Sequence, residues 1–336
     1  MWKVISGIFL GWSLGANDAS NVFGTGVATG SIKYWPAVWL TALYVLAGAL
    51  IDGPRCMQTV GELSRLSAVD AFLCALAAGI TMTLLTVLAM PASASQAIVG
   101  AVVGAGLFSG SAQLDKLVKI VGCWVFTPVG GFICGYVLYR LLKSLINRTI
   151  HSLTARNSLY RYGLILAGCY GAYSLGGNNV ANVTGVYVSA GLLDIQQAVA
   201  VGGLSIGLGA LTYSRRVMMT VGKGIAPLDP FSALVAVLGA AITLQFFTWV
   251  GVPVSSSQAV VGAVVGVGLV GDIRTVNPLM LAKIGLGWIM TPTLAGMLAW
   301  GFLALLGVWD TIHWLRELMD LPLPLLLNAM FGSWTL

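Results

Sequence analysis

The chain has 336 residues, of which 58% are hydrophobic and 8% charged, and a soluble domain with about 25% charged residues cannot be made from that stock. The formal charge is +6, gathered mainly in one stretch rather than spread as a nucleic-acid footprint. Five scattered cysteines without a C-x-x-C pair, and histidines only at His151 and His313, argue against a disulfide framework, a metal cluster or a nucleophile–base pair.

From the N-terminus, Lys3 precedes a short apolar run, 4–14, that resembles a signal peptide but leads straight into a motif recurring later, and so reads as mature protein. This run is too short to cross a bilayer as helix. Gly15, Asn17, Asp18, Asn21, Gly24, Gly26 and Gly30 follow, and there the helix is expected to unwind, because Gly lowers the cost and Asn and Asp bond locally to backbone. Non-helical backbone at membrane depth needs protein or water around it. Its freed carbonyls suit a cation, and half-helix N-termini suit an anion. A carboxylate such as Asp18 costs roughly 2.5–3.5 kcal/mol in a membrane segment, so something must compensate. Three roles fit it: a capping acid near water, a cation ligand, or an acceptor for a substrate hydroxyl. Asn17 and Asn21 serve either as interhelical hydrogen-bond partners or as ion ligands.

Apolar runs at 34–51, 71–90 and 117–142 reach the roughly 20 residues of a spanning helix, and 97–108 is a shorter piece. Strict period-2 alternation is absent, which argues against a lipid-facing barrel. Arg55, Arg216 and Lys223 read as snorkelling boundary residues, the paired arginines also as anion guides, and Glu62 as a loop residue. Pro91, Ser93, Ser95 and Gln96 then open a Gly-rich apolar stretch, the pattern of a hairpin that unwinds at proline. Its hydroxyls and the next half-helix would cradle an anion; the same residues also read as an N-cap with Gly100 and Gly104 packing behind it. Arg140, Lys143, Arg148, His151, Arg156 and Arg161 occur without an acid, which places this connection on the cytoplasmic side.

Everything before that connection recurs after it, as a search for internal repeats shows. Gly15-Ala16-Asn17-Asp18-Ala19-Ser20-Asn21 matches Gly176-Gly177-Asn178-Asn179-Val180-Ala181-Asn182 at an offset of 161. Arg55, Met57 and Thr59-Val60-Gly61 match Arg216, Met218 and Thr220-Val221-Gly222. Pro91 to Gly104 matches Pro253 to Gly266, with Ser255, Ser256, Ser257 and Gln258 over Ser93, Ala94, Ser95 and Gln96, at an offset of 162. Trp124 and Thr127-Pro128 match Trp288 and Thr291-Pro292. Repeats with interrupted segments at corresponding places point to a transporter's central site. An odd number of spans per half, three with re-entrant pieces or five, implies inversion.

The two Gly-x-Asn motifs and the two Pro-x-Ser hairpins together resemble the inorganic phosphate transporter (PiT) family, over essentially the whole chain to about Gly296. Gly15-Ala16-Asn17-Asp18 with Asn21 is similar to the family's G-A-N-D-x-x-N signature. The resemblance implies an inverted-repeat fold, symport with sodium or protons, and homodimers. It implies that Asn17, Asp18, Asn21, Asn178 and Asn182 belong to the ion and phosphate site, and that Ser93, Ser95, Ser255 and Ser257 face the anion. Three departures stand out: Asn179 replaces the second Asp, Gln96 and Gln258 replace the family's His, and Ala94 replaces a hydroxyl residue. Phosphate keeps a P–OH donor that an anionic Asp18 accepts, whereas sulfate only accepts; sulfate is the runner-up, since a cation-bound Asp18 would not discriminate and the resemblance extends to sulfate carriers, and Asn179, by removing a charge, strengthens it.

The expected architecture is an all-α integral membrane transporter with two inverted-topology repeats and broken or re-entrant helices: 1–142, a basic cytoplasmic linker 143–161, 162–308, and an interfacial segment 309–336. The expected substrate-binding residues are Asp18, Asn179, Ser93, Ser95, Gln96, Ser255, Ser256, Ser257 and Gln258. The expected cation-binding residues are Asn17, Asp18, Asn21, Asn178 and Asn182, with sodium at Asn17 and Asn178. No cofactor is expected beyond the coupling ion, sodium or proton. The partners are inorganic phosphate, that cation, lipid of the cell membrane and a second copy of the chain, with no nucleic acid. Alternating access is the expected mechanism and a passive anion channel the alternative; an enzyme is not expected, and a purely structural protein leaves the repeated Asn and Asp residues unexplained.

Overall fold

The computed structural model describes residues 2–319 apart from 62, 64–65, 89, 91, 225–227 and 271–277. Among these residues all regular structure is helical: a single turn at Trp2–Val4, then α1 (Ile5–Ala28), α2 (Tyr34–Asp52), α3 (Pro54–Gly61), α4 (Ala68–Val87), α5 (Ala94–Ser109) and α6 (Leu114–Thr149). The second half repeats the series as α7 (Leu153–Ser189), α8 (Ile195–Tyr213), α9 (Arg215–Gly224), α10 (Pro230–Val250), α11 (Ser256–Val270) and α12 (Pro278–Met319). Six helices, α2, α4, α6, α8, α10 and α12, contain stretches long and apolar enough to cross a membrane. Their outward faces carry bare hydrophobic side chains such as Trp39, Leu43, Phe126, Ile133 and Leu286, which water would not tolerate in such density and lipid does.

The helix expected to unwind after residue 14 does not: α1 runs unbroken through Gly15, Asn17, Asp18 and Asn21, and α7 runs unbroken through the second motif. The glycine serves approach rather than unwinding. A Cβ on Gly15 would collide with the Ile206 carbonyl, and one on Gly176 with the Val45 carbonyl, so each motif begins where α1 meets α8 and α7 meets α2. Asn17, Asp18, Asn21 and Asn178 find partners on other elements, while Asn179 and Asn182 bond within α7, and the helical ladder stays intact.

The chain does unwind at the two hairpins. In the second, Gly251 takes a left-handed φ of 78° that ends α10, and residues 252–255, including Pro253, lie outside helix before α11 begins. In the first, Ala92 and Ser93 lead into α5, and Pro91 lies outside the described residues. The basic stretch 143–161 is helical except for Ile150, His151 and Ser152; Arg156 Nε donates to the Ile150 carbonyl (2.6 Å) and Arg161 Nε to the Ser31 carbonyl (3.2 Å). Asp310 to Met319 continues α12 rather than forming a separate segment, and residues 320–336 lie outside the described residues, as do Glu62 and the side chain of Lys223.

The halves interlock by exchange. α1 packs on α8 and α9 while α7 packs on α2 and α3; α5 packs on α12 while α11 packs on α6. Every such pair joins one half to the other, and its counterpart joins them the opposite way, as a two-fold relation requires. This fits the inverted arrangement expected of the repeats.

Candidate functional site

Each half-helix begins at a tip held by an asparagine from a helix of its own repeat. Asn17 Nδ2 donates to Thr86 Oγ1 (2.9 Å) and to the Met90 carbonyl (3.2 Å), and its Oδ1 accepts from Ala92 N (3.2 Å). Asn178 Nδ2 donates to Thr248 Oγ1 (3.0 Å) and to the Val252 carbonyl (3.3 Å), and its Oδ1 accepts from Val254 N (2.9 Å). The three bonds recur one for one. They satisfy backbone groups that the break in each hairpin would otherwise strand inside the membrane. Both asparagines, expected as cation ligands, therefore spend their amides on the tips.

The serines that follow cap the half-helices. Ser93 Oγ accepts from Gln96 N (3.4 Å) and meets Ser95 Oγ (3.2 Å); Ser255 Oγ accepts from Gln258 N (3.3 Å) and meets Ser257 Oγ (2.9 Å). An N-cap supports its helix by about 1 kcal/mol, and each leaves the remaining first-turn N–H groups and the positive end of a helix dipole at the tip. Ser93, Ser95, Ser255, Ser256 and Ser257 are all buried.

The next residue of the first motif crosses to the other hairpin. Asp18 Oδ2 accepts from Ser256 Oγ (2.9 Å), and Asn21 Nδ2 lies 3.1 Å from Ser256 Oγ and 3.5 Å from Asp18 Oδ1. Asn17 and Asp18, neighbours in sequence, thus hold the first and second tips respectively, so both half-helix N-termini converge on one turn of α1. Asp18 is 1% exposed, and no cation lies within salt-bridge distance of it among the described residues. A buried carboxylate held only by neutral donors is what a transported cation or a substrate hydroxyl would complete.

The second motif lacks that contact. Asn182 Nδ2 donates to Asn179 Oδ1 (2.9 Å), and Asn179 Nδ2 turns back to the Leu175 carbonyl of its own helix (3.3 Å). The position equivalent to Ser256 is Ala94, the first residue of α5, which has no hydroxyl to give. Three buried carbonyl oxygens at these motifs, Asn182 Oδ1, Gln96 Oε1 and Gln258 Oε1, have no partner. A void of about 10 Å³, lined in part by Asn21, Leu175 and Ser256, matches a single water or small ion in size. The larger crevices, such as that among α5, α6 and α12 at Val103, Trp124 and Met297, are apolar and open outward.

The profile of the phosphate transporter family matches this chain twice, over residues 14–158 and 148–299. The chain belongs to that family. Among similar proteins, the sulfate permease CysP of Bacillus subtilis is 30% identical, covering 87% of this chain and 84% of its own length. The protein named "Putative phosphate permease MJ0630" of Methanocaldococcus jannaschii is 29% identical, covering 87% and 93%. A solved structure described as the sodium-dependent phosphate transporter superposes with a TM-score of 0.81 over 91% of this chain and 98% of its own, at 21% identity, which shows a shared fold. Membership makes the chain a multi-pass membrane transporter rather than an enzyme.

Sequence reasoning overlooked two residues of the site and one beside it. Thr86 and Thr248, partners of the two clamps, sit at an offset of 162, so the repeat itself could have revealed them. Asp52 is the third. It is 6% exposed at the end of α2, and its only sequence signal is an acid closing an apolar span three residues before Arg55. Arg55 is accordingly paired, Nε to Asp52 Oδ1 at 2.9 Å, rather than only snorkelling.

Proposed function

We propose that this protein carries inorganic phosphate across the cell membrane by alternating access, driven by sodium or protons. The observation that carries the reading is the convergence of both half-helix N-termini on Asp18: two partial positive ends suit an oxyanion, and one carboxylate beside them suits a cation or the anion's own P–OH. In this reading Ser95, Ser257, Gln96, Gln258 and Asn179 contact the anion, with Ser93 and Ser255 pinning the tips. Asp18, Asn21 and Ser256 hold the coupling cation, joined by the free Asn182 Oδ1, while Asn17 and Asn178 act through the hairpins. The basic connection 143–161 lies on the cytoplasmic side, and two copies associate through their lipid-facing helices.

Sulfate is the second reading, favoured by a relative at 30% identity named a sulfate permease and by the missing charge at Asn179. Purified protein in liposomes separates them. Labelled phosphate uptake that saturates, rises with an inward sodium or proton gradient and survives excess unlabelled sulfate supports phosphate symport. Sulfate competition transfers the site to sulfate, and linear, gradient-indifferent flux makes it a channel.

A further inference from the structure

Beside the second hairpin, and outside the cluster just described, lies a second buried carboxylate. Asp52 Oδ2 accepts from Tyr173 Oη on α7 (2.8 Å) and from Gln245 Nε2 on α10 (2.7 Å), while Oδ1 accepts from Arg55 on α3. Four helices meet on one side chain. Gln245 is one turn before Thr248, which the Asn178 clamp grips, and a Cβ on Gly177 would meet Asp52 Cβ at 3.1 Å, so the network abuts the second motif directly. α3 closes the same spot: Thr59 Oγ1 donates to the Gly251 carbonyl, and Cys56 Sγ lies 4.0 Å from the Thr248 carbonyl.

At the first hairpin the three positions equivalent to this carboxylate and its two neutral donors carry no acid. The residues equivalent to Asp52, Tyr173 and Gln245 are Tyr213, Trp12 and Thr83. Their contacts are neutral: Tyr213 lies against the Trp12 ring (centroids 5.7 Å apart), Trp12 Nε1 donates to Thr212 Oγ1 (2.8 Å), and Thr83 Oγ1 pairs with Ser13 Oγ (2.6 Å). The two tips are clamped alike by Asn17 and Asn178 but braced differently behind the clamp. We infer that Asp52 is a positioning residue that fixes the second hairpin tip, Ser255 to Ser257, against the second motif. The Tyr173 and Gln245 bonds carry this brace, because hydrogen bonds to a buried charged group are strong, whereas the Arg55 side chain is 54% exposed and its ion pair contributes little.

Only the consequence for uptake rests on the transport reading; the brace itself is testable without substrate. Cys56, buried at the α3–α10 contact, is a built-in reporter, and Cys74, buried between α4 and α5 with Sγ 3.6 Å from the Ala101 carbonyl, is an internal control. In liposomes, N-ethylmaleimide labelling followed by peptide mass spectrometry should modify Cys56 at least fivefold faster in Asp52→Ala than in the parent, with Cys74 unchanged. The phosphate concentration giving half-maximal uptake should rise about tenfold. Unchanged Cys56 labelling overturns the brace. If Cys74 also reacts in Asp52→Ala, the near-isosteric Asp52→Asn decides by the same comparison: Cys56 alone supports the brace, and both cysteines together reduce Asp52 to a general stabilising role and overturn it. Faster Cys56 labelling with unaltered half-saturation overturns the positioning of the site. Absence of phosphate uptake in the parent defeats the transport reading and leaves the labelling comparison intact.

Discussion

Two adjacent side chains on α1 do different work. Asn17 uses its amide to hold the first hairpin, so Asn17→Ala strands the Met90 carbonyl and the Ala92 N–H, each costing on the order of 1–3 kcal/mol when buried and unpaired, while the Thr86 hydroxyl keeps its bond to the Met82 carbonyl. Asn178→Ala should behave the same way at the second hairpin. Both variants should therefore show lower thermal midpoints in detergent together with lost uptake. Asp18→Asn differs: it is nearly isosteric and its neighbours are neutral donors, so the thermal midpoint should move little while gradient-driven uptake falls to background. Near-normal coupled uptake by that variant would remove Asp18 from the mechanism. The equivalence of Asn179 with Asp18, and of Ala94 with Ser256, has its own test. Asn179→Asp alone should destabilise by burying a carboxylate, and Ala94→Ser should relieve part of the loss by supplying a donor. Thermal unfolding of the four chains should give a coupling of about 1 kcal/mol or more if the two side chains meet; simple additivity would mean that they do not.

At the scale of elements, each half-helix lies flush against a long helix of the other half. Cβ atoms on Gly262 and Gly266 would strike the Pro128 and Phe132 carbonyls of α6, and those on Gly100 and Gly104 the Pro292 and Gly296 carbonyls of α12. Gly262→Leu should therefore prevent α11 from seating and give aggregated protein on size-exclusion chromatography, while a leucine at Gly301, where a Cβ meets nothing, should be tolerated. These elements were legible because their signals are periodic and doubled. Span length, Gly spacing and the Pro-x-Ser break each occur twice, and the hairpins, the half-helices and the paired long helices follow. The expected break inside α1 was misread because local composition shows only that Gly, Asn and Asp can leave a helix. Whether they do depends on partners such as Thr86, Met90 and Ser256, which lie far along the chain. The same reason hid Asp52, whose Tyr173 and Gln245 partners are 121 and 193 residues away. Which residues belong to the motifs could be read from the repeat, but which of them grip a tip and which face the void could not.

For the whole molecule, the exchange of contacts between halves means that neither repeat has a complete core. Separate expression of 1–150 or 151–336 should yield aggregated protein, while co-expression of the two should recover a folded complex and uptake, because the chain between α6 and α7 is only three residues outside helix. The same exchange sets a timetable for synthesis. Gly100 on α5 leaves the ribosome about 190 residues before Pro292, the residue it must meet, an interval of roughly 10–40 s at ordinary elongation rates of 5–20 residues per second. Throughout it the first half-helix, too short to span and loaded with serines and a glutamine, waits in the bilayer without its seat. The nascent first repeat is thus a substrate for whatever insertase or chaperone shelters polar helix ends, and synonymous codons that slow the ribosome before α12 should lower the yield of folded transporter without altering a single residue of it.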